Sequence, residues 1–186
     1  MKPIAGLSAI PRVPTSDVSG ASSGRAGIRN RPSGPRRILP LAVSLARDAA
    51  ELEDHFAIRR DVFVAAQGLF EDDDRDERDP QPATLHAVGR AGDHVAGAVR
   101  LYPLDDRGLW KGDRLAVLSG DRVNRLGAML VRFAVATAGE RGGERMIAQI
   151  QFGNVPFFVR LGWERDGDPT MLLGLVHQPM AIGLEG

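Results

Sequence analysis

Two neighbouring stretches combine residue types and spacing suited to gripping a phosphate. Arg114-Leu115-Ala116-Val117 reads as a short apolar strand. Arg122-Val123-Asn124-Arg125-Leu126-Gly127 follows as a polar turn opening an amphipathic helix. The first turn of a helix leaves backbone N–H groups without intrahelical partners, and the helix dipole adds partial positive charge there. An anion fits such a place. Gly127 has no Cβ, so an anion can come close to the backbone, and Arg122 and Arg125 can add charged donors. An ordinary helix cap explains these residues equally well, because strand–turn–helix joints holding one glycine are common.

Proton-transfer candidates lie nearby. Asp113 alternates onto the same side of its strand as Leu115 and Val117 and could draw a proton through water. His86 sits mid-strand, and His177 lies in the last strand among apolar neighbours; either could act as a base near neutral pH or be a satisfied core histidine. The run Glu71, Asp72, Asp73, Asp74, Asp76, Glu77, Asp79 is either a solvated acidic loop or a wall that attracts a cation, and it lacks the glycine spacing of a calcium loop. Arg60 and Arg100 can pair with these acids or clamp an anionic substrate group. With no Cys, thiolate metal sites, disulfides and cysteine nucleophiles are excluded, and no metal is expected.

These groups must be carried by a scaffold. The 186 residues, 43% hydrophobic and 26% charged, suit one globular domain with a real core. No apolar run is long enough to cross a bilayer as a helix. Residues 1–38, rich in Pro, Gly, Ser and Arg, read as a disordered arm with seven basic groups against Asp17. The remaining 17 basic and 23 acidic groups give a net charge of −6, which argues against nucleic acid as the main partner. Residues 39–186 form the expected domain. Strands are expected over 39–45, 84–90, 94–101, 114–118, 145–151 and within 170–182. Helices are expected over 46–66, 125–138 and 155–160. Ala91-Gly92-Asp93 joins two strands as a hairpin. This order predicts an α/β (α+β) domain on one mixed sheet.

The element order and several motifs resemble the GNAT family of N-acetyltransferases from about residue 40 to the C-terminus. That family's pyrophosphate loop runs Arg or Gln, two residues, Gly, one residue, Gly or Ala, just beyond a strand ending Leu-Ala-Val. Arg122 and Gly127 fill the outer places, and Arg125 stands where the first Gly is expected. Gln151 to Trp163 is similar to the family's Asn-containing segment ending Leu-Gly-Phe, with Phe158 where many relatives carry a Tyr that protonates the departing thiolate. Arg59 to Val64, Gln67 to Phe70, Val99 to Leu101 and Gly174 to Met180 resemble a branch associated with nitrogen starvation and nitrilase gene clusters. In that branch a Glu commonly stands where Ala66 does.

The resemblance implies a mostly antiparallel mixed sheet splayed in the middle. It implies acetyl-CoA as co-substrate, a small primary amine as acceptor, direct ternary-complex transfer and a cytoplasmic place in nitrogen metabolism. It assigns backbone contacts to pantetheine and oxyanion at Leu115, Ala116 and Val117, the diphosphate to Arg122, Arg125, Leu126 and Gly127, and the pantetheine arm to Asn154. Asp113 and His177 are the implied proton acceptors, with Arg60 and Arg100 on the substrate side. An acyl-homoserine-lactone-synthase-like enzyme, a non-catalytic acyl-CoA-binding module and a homodimer all stay open.

Overall fold

A computed structural model describes residues 8–9, 40–119 and 125–185. Its elements are β1 (Ser8–Ala9), β2 (Leu41–Leu45), α1 (Ala49–Arg59), a π-helical segment (Arg60–Ala66), β3 (Leu85–Ala91), β4 (His94–Pro103), β5 (Leu109–Val117), α2 (Leu126–Glu140), β6 (Arg145–Gln151), a 3-10 turn (Phe152–Asn154), α3 (Val155–Val159), β7 (Glu164–Arg165), β8 (Thr170–Leu172) and β9 (Leu175–Gly183). The strands form one sheet in the order β2-β3-β4-β5-β1-β6-β9-β7, with β8 paired to β9. Its ladders are antiparallel except where β1, β5 and β6 run parallel to one another. The mixed open sheet flanked by helices is the expected architecture.

Differences from the sequence expectation have local causes. The first helix starts at Ala49 because Asp48 caps it, accepting from Glu51 N–H at 2.9 Å, while Glu51 Oε2 accepts from Arg47 N–H at 3.0 Å. Strand β5 begins five residues earlier than expected. Its polar stretch Lys111-Gly112-Asp113 hides the alternation, and Asp113 is accommodated by ion pairing inside the sheet. The final strand divides into β8 and β9 at Leu173-Gly174, both with positive φ. The expected disordered arm lies outside the described residues apart from Ser8–Ala9, which forms a strand.

Two apolar layers clamp the sheet. One face, with Leu115, Val117, Met146 and Ile150, packs on Leu126, Leu130 and Ala134 of α2. The other, with Ala98 and Ala116, packs on Ile58, Val62 and Phe63 of the first helix and its π-helical extension. Gly89 and Gly97 let α2 sit down on the sheet: a Cβ at Gly97 would come within 2.8 Å of Leu130 Cδ1 and 3.2 Å of the Ala116 carbonyl oxygen.

Candidate active site

The site begins with a defect in β5. Strands β4 and β5 keep register from Pro103↔Trp110 to Arg100↔Asp113 and resume it at Ala98↔Ala116, so Arg114 and Leu115 together oppose Val99. This is a β-bulge, and Arg114 takes a φ of 52° within it. That conformation is uncommon for a residue with a side chain. Arg114 is held by its own guanidinium, which donates to the Asp74 carbonyl oxygen at 3.1 Å and to Asp76 Oδ2 at 3.1 Å.

A bulge bends its strand, and the bend opens the sheet. Strands β5 and β6 pair directly only at Leu109↔Arg145, Trp110↔Met146 and Lys111↔Ile147, and beyond the bulge they separate. In the gap lies β1, with Ser8 opposite both Leu115 and Ile150 and Ala9 opposite Ala116. The edge of β5 at Leu115-Ala116 therefore pairs with an extended chain.

Beside this crevice a pocket of about 740 Å³ opens between the π-helical segment, the end of β5 and the turn after β6. Asp61, Gln67, Val117, Gln151 and Asn154 are among its lining residues. Gln151 Nε2 donates to Gln67 Oε1 at 3.1 Å and so ties the two walls together.

Gln151 is the cross-strand partner of His177, so the two side chains share a sheet face. His177 is fully buried, and its Nδ1–H donates to the Leu175 carbonyl oxygen at 3.0 Å. That bond fixes the tautomer and leaves Nε2 with a lone pair, for which the described residues offer no donor. Burial depresses the imidazole pKa, so the ring is neutral at pH 7. On the same face of β6, Gln149 presents Oε1, also buried and without a donor among the described residues. Sequence reasoning missed Gln149 and Asp61. The alternation of β6 with Gln151 was the available signal for Gln149, and nothing in an α-helical reading pointed to Asp61.

Several expected site residues are committed elsewhere. Asp113, 3% exposed, accepts from Arg100 Nε at 2.8 Å, Arg100 Nη2 at 2.9 Å and Tyr102 O–H at 3.2 Å, so its carboxylate is enclosed rather than offered to substrate. Arg100, fully buried, also donates to Asp76 at 2.7 and 3.0 Å and lies 2.9 Å from Asp79, so its guanidinium is taken up by these acids. Arg60 is exposed and stands outside the lining of the pocket. The acidic loop is not a solvated wall throughout: Asp74 and Asp79 are buried against Arg59, at 2.8 and 2.6 Å. Burial works to raise the Asp79 pKa, but the hydrogen bond and charge of Arg59, reinforced by Arg100, outweigh it and hold the carboxyl well below its ordinary range. His86 accompanies buried His55 beside this network, with Nε2 donating to the Asp79 carbonyl oxygen at 3.1 Å. Phe158 is buried against Trp163 and has no proton to give.

The segment expected to receive the diphosphate is described in part. Arg122 lies outside the described residues. Arg125 is exposed at the start of α2, where its side chain makes no capping hydrogen bond, and Leu126 and Gly127 form the buried first turn. Asn154 sits half-buried at the pocket wall.

A sheet split beside a bulge, a helix following its central strand and a pocket at the split define the acyl-CoA-dependent N-acyltransferase class. Comparison with known proteins agrees. The family model described as "Acetyltransferase (GNAT) family" matches residues 50–163, more than half of the chain. The chain belongs to that family. It is 28% identical over 137 residues to the uncharacterized N-acetyltransferase YjcF of Bacillus subtilis, covering 73% of this chain and 95% of that one. Its fold is similar to Escherichia coli ElaA, with a TM-score of 0.67, 19% identity, and 77% and 98% of the two chains covered. It is also similar to the AHL synthase LasI, with a TM-score of 0.66, 14% identity, and 79% and 91% covered. Members of the family use an acyl-CoA as co-substrate and act on small molecules.

Proposed function

We propose that this enzyme transfers the acetyl group of acetyl-CoA to a small primary amine, directly and within a ternary complex. The observation that carries the reading is the β5 edge beyond the bulge, which pairs with an extended chain at Leu115-Ala116. The pantetheine arm, with its two amides, is such a chain and would take the place β1 holds. Arg122, Arg125, Leu126 and Gly127 then receive the diphosphate at the start of α2, and Asn154 contacts the arm.

The chemistry needs few groups, because the thioester is already activated. Once the bound ammonium has given one proton to solvent, the neutral amine nitrogen attacks the thioester carbonyl carbon, and a backbone N–H of Leu115 to Val117 stabilises the oxyanion. The C–N bond forms, the C–S bond breaks, and the thiolate leaves. His177 Nε2 takes the proton released by the amine, and Gln149 Oε1 orients a second N–H. The thiolate is reprotonated by the imidazolium or by water, since Phe158 supplies nothing.

Calorimetry with CoA on the wild type and Arg122→Ala tests the binding step. A loss of about 1.5–3 kcal/mol, the size of a charge-assisted hydrogen bond, is expected. Unchanged affinity would remove Arg122 from the site. An amine panel read by thiol release tests the transfer; CoA binding without turnover on any amine would mark a non-catalytic binding module.

A further inference from the structure

We propose that Asp61 recognises the acceptor, pairing with the positive charge of an amine whose body is apolar and disfavouring acceptors that carry a carboxylate. The inference rests on the acyl-transfer reading of the crevice and its pocket.

It starts from the change of helix type. The first helix does not stay α-helical after Arg59: residues Arg60–Ala66 are π-helical, and Gln67 N–H donates to the Val62 carbonyl oxygen, five residues back, at 3.0 Å. In an α-helix, residues five apart point about 140° away from each other. In a π-helical turn they come much closer to one line. Asp61 and Ala66 accordingly both line the pocket, with Val62 and Gln67. Ala66 adds only a methyl group to this wall.

Charge and partners complete the argument. Among the described lining residues Asp61 is the one charged group. Other carboxylates of this half of the molecule, Asp74, Asp76, Asp79 and Asp113, are spent on Arg59, Arg100 and Arg114. Among the described residues Asp61 has no ion-pair partner. The remaining walls offer the neutral amides of Gln67 and Gln151 and the apolar side chains of Val62, Leu175 and Val176. An unpaired carboxylate over neutral and apolar walls fits an ammonium group attached to a hydrocarbon body. A second carboxylate, as in a free amino acid, would meet Asp61 as a like charge.

The test compares phenethylamine with phenylalanine, which differ by one carboxylate, on the wild type, Asp61→Asn and Asp61→Glu. Rates are followed by thiol release, and acceptor binding in the presence of CoA by calorimetry. The wild type is expected to favour phenethylamine. Asp61 is exposed, so Asp61→Asn should cut that preference about two- to fivefold, the scale of an exposed ion pair, through KM more than kcat. Asp61→Glu should restore most of it. An unchanged preference in Asp61→Asn, or equal use of both acceptors by the wild type, overturns the assignment of Asp61 while leaving acyl transfer intact. Absence of CoA binding to the wild type overturns both.

Discussion

Replacing Asp113 by Asn separates a structural carboxylate from a catalytic one. The side chain is 3% exposed and bonded three times, twice by Arg100 and once by Tyr102. Asn has nearly the same shape but no charge, so one strong pairing is lost and an amide N–H₂ is turned toward a guanidinium. Breaking a buried ion pair costs about 3–5 kcal/mol when the remaining charge is left alone. Arg100 would not be alone, because Asp76 at 2.7 Å and Asp79 at 2.9 Å remain. The cost therefore falls at or just below the bottom of that range, about 2–3 kcal/mol. A chain of this length loses about 2–4 °C in Tm per kcal/mol, so Asp113→Asn should melt roughly 5–10 °C below the wild type. Circular dichroism melts supply the first readout. Initial rates at a temperature well below both transitions supply the second, and there kcat should stay within about threefold of wild type. An unshifted Tm combined with a rate loss above about 100-fold, the scale of a missing general base, would refute the reasoning and return Asp113 to the chemistry.

The protein should lose stability as pH falls below about 6.5, the ordinary histidine pKa. Burial, aided by Arg59 and His86, depresses the His55 pKa, and burial likewise depresses that of His86, so the unfolded chain takes up protons that the folded one refuses. Stability is therefore complete above pH 6.5 and falls by up to about 1.4 kcal/mol per pH unit for each histidine below it; urea titrations between pH 7.5 and 5 read this, and a flat profile would contradict it. Gly97→Ala should lower Tm by several degrees and weaken CoA binding together, because the new methyl meets Leu130 at 2.8 Å and displaces the start of α2. The double variant Ser8→Pro/Ala9→Pro removes the N–H groups that β1 can give to the parallel ladders. It should bind CoA several-fold more tightly in calorimetry if β1 and pantetheine compete for one edge, since apparent affinity scales with the fraction of sites left open. Equal affinity would place the cofactor elsewhere.

Much of the scaffold was legible because it rests on local rules. The hairpin at Gly92-Asp93, the apolar stripe Leu126, Leu130, Ala134 of α2 and the strand Arg145–Gln151 all follow from turn chemistry and periodicity. Residues whose roles depend on distant partners were not legible. Asp113 looked like an accessible carboxylate because its sequence neighbours are a Gly and an Arg; its real neighbour is Arg100, on the adjacent strand. The acidic loop looked solvated for the same reason: its partner Arg59 comes from α1, and Arg114 from β5. Asp61 was hidden by a change of helical period, which no α-helical pattern reports.

That acidic loop explains how the crevice can exist at all. A sheet closes on itself unless something bends a strand, and here the bend depends on Arg114 holding a φ of 52°. Such a conformation costs on the order of 1–3 kcal/mol. The cost is offset where Arg114 reaches Asp74 at 3.0 Å and Asp76 at 3.1 Å, acids that Arg59 and Arg100 hold in turn against α1 and β4. The charges that look like a cation-attracting surface in the sequence thus act inward. They fix the loop on the sheet, the loop fixes the bulge, and the bulge keeps β5 and β6 apart where a thioester would lie. Among the described residues, Asp61 is the carboxylate that lines the pocket, and it stands outside this arrangement.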